Sequence, residues 1–152
     1  MILAAIYIAV IVSLAVTVFL GTKSGKPQRL FKAHPQVPKT LTLGYIVFAG
    51  CFVFPISSEP FPLDFQRVYL LVASYGVIAS AFAGIFGPGR EHLVYIVTFL
   101  LTIVGMGCRY LLEYGEVSNT YNFTLLNIVS YLAIVPTVTV IAYHWIMGRL
   151  RR

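Results

Sequence analysis

Five apolar runs of membrane-spanning length, separated by short charged segments, constrain this chain more than any motif in it. A hydrocarbon core about 30 Å thick is crossed by about 20 helical residues, since a helix rises about 1.5 Å per residue. In lipid, every backbone N–H and C=O must also find a partner inside the protein, which leaves the helix as the natural solution for such a run. The runs cover residues 2–20, 40–58, 68–86, 92–112 and 123–147. They predict an all-α integral membrane protein, a bundle of five transmembrane helices forming a single domain over residues 1–152.

Composition excludes the soluble alternatives. The chain is 59% hydrophobic and 11% charged, with a mean hydropathy of +0.86, whereas soluble domains carry about 25% charged residues. A net charge of +6 could suggest nucleic acid. The basic residues sit in short tracts beside apolar runs, however, without a basic face or interleaved aromatic residues, so no nucleic-acid partner is expected. The run from Ile2 to Leu20 lacks the basic leading region and the small-residue cleavage pattern of a signal peptide and reads as a helix. The second run is the least regular, being interrupted by Gly44, Gly50 and Pro55.

The distribution of charge predicts orientation. Residues 21–39 form a basic loop with Lys23, Lys26, Arg29, Lys32 and Lys39; Arg90 follows the third run, and Arg149, Arg151 and Arg152 follow the fifth. Five crossings put these three regions on one side. Glu59, Asp64, Glu113 and Glu116 fall on the other, with Arg67 and Arg109 as its basic residues. Positive charge stays cytoplasmic, so the N-terminus is expected outside and the C-terminus inside, in a cell (plasma) membrane, with anionic lipid headgroups as the partner of the basic loop. Tyr110, Tyr114 and Tyr121 at one end, and Tyr143 with Trp145 at the other, suit the two interfaces.

No catalytic motif emerges, so the candidate residues are read by position. Gly76, Ser80 and Gly84 form a small-residue ladder of period four, the kind of face on which helix backbones approach closely. That face serves either packing within the chain or contact with another membrane protein. Asp64 with Arg67, and Arg109 with Glu113, have the spacing of local ion pairs at the outer helix ends; the same acidic residues could instead attract a cation or proton. Cys51 and Cys108 lie at similar depth, compatible either with a disulfide or with two free thiols.

His92 and His144 are both near the cytoplasmic end, and they are the residues on which a haem could be held, although no spacing motif supports it. No cofactor is expected. Asn122, Phe123 and Thr124 form an N-glycosylation sequon on the outer side, close to the fifth run. Pro136 falls inside that run and should kink it. Ionisable groups are nearly missing at mid-depth, which argues against an autonomous ion-coupled pump. The expected function is therefore a non-catalytic structural or accessory subunit of a larger membrane-protein complex. The alternatives are a small homo-oligomeric transporter, channel or lipid-binding protein, and a haem-binding or other redox membrane protein.

Overall fold

The computed structural model describes residues 33–56 and 65–150. The run from Ile2 to Leu20, most of the basic loop, Glu59 and Asp64 lie outside the described residues. Contacts divide the chain into two compact units, residues 1–40 and 41–152. Of the first, the described part begins at Ala33; there Val37 N–H donates to the His34 carbonyl at 3.0 Å, closing a turn. All regular elements among the described residues are α-helices: α1 (Gln36–Val53), α2 (Phe65–Phe86), α3 (Glu91–Leu112), α4 (Val117–Asn122) and α5 (Leu125–Leu150). Four of them, α1, α2, α3 and α5, are long and apolar enough to cross a membrane.

The helix limits depart from the sequence expectation in ways that local chemistry explains. The helix α1 starts four residues before residue 40 because Pro38 falls in its first turn, where no intrahelical N–H is needed. It stops at Val53, well short of residue 58, because Pro55 cannot donate to a further turn and disfavours helix in the residue before it. The Phe54–Pro55 peptide is cis. At the other end of the bundle, α2 terminates on Gly87, whose φ of +66° is a left-handed value that suits glycine, followed by Pro88 and by Gly89 at +79°. The short α4 was not foreseen. It follows Gly115, again left-handed at +84°, and fills the connection between α3 and α5.

The last helix begins at its own cap. Thr124 Oγ1 accepts a hydrogen bond from the Asn127 N–H at 3.3 Å, the contact an N-cap threonine makes with the third helical residue. The helix then continues through Pro136 to Leu150.

Burial within residues 41–150 follows a spacing of four. The inner faces carry Leu71, Tyr75, Ala79 and Ala83 on α2, Val94, Thr98, Thr102 and Met106 on α3, and Tyr131, Val135, Thr139, Tyr143 and Met147 on α5. Side chains four apart form the ridges by which helices interlock, and both α2 and α3 pack against α5. The helices α1 and α3 meet through glycines. A Cβ built on Gly50 would lie 3.0 Å from the Thr102 carbonyl oxygen, and one on Gly105 would lie 2.9 Å from both Gly50 Cα and the Cys51 nitrogen. The backbones are therefore in direct contact at this crossing.

The outer surface is apolar, unlike that of a soluble bundle, and several hydroxyls lie within the core. Leu111, Leu112, Leu125, Leu126 and Ile141 are all more than 60% exposed, whereas Thr98, Thr102, Thr139, Tyr75, Tyr131 and Tyr143 are fully buried. Large aliphatic groups outside and hydroxyls inside suit a hydrocarbon surrounding.

Candidate functional site

Among the described residues, the densest polar cluster lies at the end of the bundle where α1 stops, and it starts from a backbone problem. The last turn of any helix leaves carbonyls without intrahelical donors, and they form the negative end of the helix dipole. In apolar surroundings these groups require donors from elsewhere. Two arginines supply them. Arg109 of α3 donates through Nη1 to the Cys51 carbonyl at 3.4 Å and to the Phe54 carbonyl. Arg67 of α2 donates through Nη1 to the Pro55 carbonyl at 3.0 Å. Helices remote in sequence thus cap α1 with cationic side chains.

Glu113, one turn beyond Arg109, completes the cluster. Its Oε1 accepts from Arg109 Nη2 at 2.7 Å, with the two side chains only 17% and 20% exposed. Its Oε2 accepts from Asn122 Nδ2 at 3.4 Å. Asn119 Nδ2 donates to the Glu113 carbonyl at 2.8 Å and to the Tyr110 carbonyl at 3.0 Å, satisfying the C-terminal turn of α3 from α4. Asn127 then ties α5 to the same connection, donating to the Asn122 carbonyl at 3.1 Å. Aromatic rings surround the group: Phe123 packs against Phe54 at 4.8 Å and against Tyr110 edge-on at 5.2 Å, and Tyr131 meets Phe54 edge-on at 5.2 Å.

The chemistry of this arrangement is cohesive. The Arg109 charge is matched by Glu113 and by carbonyl dipoles, and the carboxylate is matched in turn by an amide. A charged hydrogen-bonded network of this kind locks α1, α3, α4 and α5 to one another. The spacing of Arg109 and Glu113 pointed to their pairing, but nothing in the sequence pointed to the carbonyls of Cys51, Phe54 and Pro55 as the other partners. Pro55 after an apolar run was the available signal, since it announces a helix end with unpaired carbonyls.

The other candidate residues are distributed as follows. Asp64 lies outside the described residues. Cys51 and Cys108 are free thiols; Cys51 is buried, while Cys108 is exposed. At the opposite end of the bundle, His144 is exposed and its Nδ1 lies 3.3 Å from Glu91 Oε1, linking α5 to the start of α3. Close by, the Tyr143 hydroxyl donates to the Gly87 carbonyl. His92 is exposed as well. Among the described residues, no three His, Cys, Asp or Glu side chains converge. Ser80 and Gly84 are exposed, and Ser80 Oγ donates to the Gly76 carbonyl at 2.9 Å, so the ladder of small residues faces outward.

The sequon is built into the framework. Asn122 is only 5% exposed and its amide is the donor to Glu113, while Thr124 is the cap of α5. Attachment of a glycan at Asn122 would require that amide to leave the network. Expression in glycosylating cells is therefore expected to give a chain whose mass is unchanged by glycosidase treatment; a glycosidase-sensitive shift mapping to Asn122 would contradict this arrangement.

No protein family, curated protein or solved structure matches this chain.

Proposed function

We propose that this chain is a multi-pass membrane protein that serves as a non-catalytic structural or accessory subunit of a larger membrane-protein complex. The observation that carries this reading is the outward face of α2. A Cβ added at Gly76 or Gly84 would meet nothing within 4 Å, and Ser80 between them is exposed with its hydroxyl turned back onto its own helix. The ladder is a narrow strip, since α2 also exposes Tyr69, Val72 and Val77, and the outward residues of α3 and α5 include Ile96, Leu100, Ile103, Val104, Val129 and Ile141. Bulky aliphatics suit lipid, whereas small residues let another helix approach closely, where packing rather than hydrophobicity drives association. The interior, with the helices joined at both ends by hydrogen bonds, suits a rigid scaffold.

In this reading the end of the bundle that carries Arg90 and Arg149 is cytoplasmic and the Arg109 end is external, in a cell membrane, with the N-terminal run as a further crossing. The basic loop at residues 21–39 binds anionic headgroups. Trp145 and Arg149 mark the cytoplasmic interface: the guanidinium sits 4.0 Å from the indole ring centroid, where a cation and an amphipathic ring both meet the headgroups.

The test is purification from native membranes in a mild detergent. Partners are expected to co-purify with the unaltered chain and to be lost from G76L/G84L, whose folded yield is unchanged because both positions are open. A monodisperse monomer from unaltered membranes would overturn the reading. Association only with further copies of the same chain would instead favour the homo-oligomeric alternative.

A further inference from the structure

The hydroxyls buried among α2, α3 and α5 have partners that can be named at most levels. Thr139 Oγ1 donates to the Val135 carbonyl at 2.8 Å. Thr102 Oγ1 lies 3.5 Å from the Tyr75 hydroxyl. Thr98, one turn from Thr102 on the same face of α3, differs. It is fully buried, and its Oγ1 has no hydrogen-bond partner among the described residues.

A second polar group lacks its usual partner on the facing helix. Pro136 has no N–H, so the Leu132 carbonyl loses the donor that an α-helix would supply four residues later. Pro136 is buried, which turns this break toward the interior of the bundle rather than toward the surroundings.

The register of α3 against α5 brings the two groups to one level. Glu91 meets His144 at one end and Tyr110 meets Phe123 at the other. Seven residues along α3 from Glu91 reach Thr98, and eight back along α5 from His144 reach Pro136. Counting from the other end agrees, since Thr98 lies twelve residues before Tyr110 and Pro136 thirteen after Phe123. The antiparallel helices therefore bring Thr98 and the Pro136 break to one level of the bundle, both of them buried.

We propose that the bundle binds an internal water molecule here, hydrogen-bonded to Thr98 Oγ1 on α3 and to the Leu132 carbonyl oxygen on α5. Water supplies both the donor that the carbonyl lacks and a partner for the hydroxyl, and a buried polar site with at least two such groups is the kind that retains one. Proline breaks in membrane helices are commonly satisfied by hydroxyl side chains and ordered water. The water makes the break in α5 a polar contact with α3, so that the two positions act as a unit.

A thermal-unfolding cycle on the full chain in detergent tests this through Thr98→Val and Pro136→Ala. A bridging water makes T98V destabilising, lowering Tm by about 2–4 °C, and makes that loss vanish in the P136A background, where the carbonyl regains its own donor. A dry, unpaired hydroxyl gives the opposite sign: T98V then leaves Tm unchanged or raises it. Either that result or an equal loss in both backgrounds would overturn the proposal. A second measurement needs no variant: solid-state NMR in bilayers is expected to transfer magnetisation from water to the Thr98 methyl at mixing times that leave the Val94 and Val135 methyls dark. No transfer to Thr98 would equally overturn it.

Discussion

Gly105→Leu is expected to destabilise the folded bundle by about 3 kcal/mol or more, at the upper end of what overpacking a tight contact does. At this point α1 and α3 touch backbone to backbone. A Cβ on Gly105 would collide with the Val47 carbonyl oxygen and lie 2.9 Å from both Gly50 Cα and the Cys51 nitrogen. These are main-chain atoms that no rotamer change can move, so relief requires the helices to separate. Separation would in turn pull the end of α1 away from Arg109. Even Gly105→Ala is expected to cost about 1–3 kcal/mol.

Gly107, two residues on in the same helix, is the control. It is exposed with nothing within 4 Å of a built Cβ, and Gly107→Ala is expected to be neutral or stabilising by up to about 1 kcal/mol, the helix-propensity difference. Unfolding of purified protein in mixed micelles, followed by helix content against denaturing detergent, reads all three. Equal effects at positions 105 and 107 would contradict the close crossing.

Arg109→Ala is the second change with a large expected effect, about 2–4 kcal/mol. Removing one partner of a buried ion pair typically costs about 3–5 kcal/mol because the remaining charge is left uncompensated. The residual exposure of 17% and 20% in this pair reduces that figure. The Cys51 and Phe54 carbonyls also lose their donor. Glu113→Gln should be milder, because the amide oxygen can still accept from Arg109 while the carbonyl contacts of Arg109 persist, and the loss then comes from the missing charge and the contact with the Asn122 amide. The same unfolding assay orders the two variants. A smaller loss for R109A than for E113Q would show that capping α1 is not the main work of the guanidinium. Cysteine labelling adds a local readout, since Cys51 is buried and its own carbonyl accepts from Arg109, while Cys108 is exposed. R109A should speed the reaction of Cys51 and leave that of Cys108 unchanged.

The sequence determined the long helices. An apolar run with no partner for its backbone except itself becomes a helix, and that argument needs no neighbour; four such helices stand in the structure, close to the runs from which they were read. Helix ends were legible where the signal was local, as at Gly87, Pro88 and Gly89, and less so where it was not. The start of α1 extends past Lys39 because a proline is harmless in a first turn.

Only the tertiary structure decided which face of each helix turns inward. In an aliphatic run nearly every side chain is apolar, so hydrophobicity cannot distinguish lipid from interior. The small-residue ladder at Gly76, Ser80 and Gly84 looked like an internal seam as readily as an external one, while the glycines in backbone contact proved to be Gly50 and Gly105. The partners of Arg109 were hidden for a related reason: two of them are carbonyls 58 and 55 residues away in sequence. Every residue has a carbonyl, and only packing reveals which ones are left without a donor.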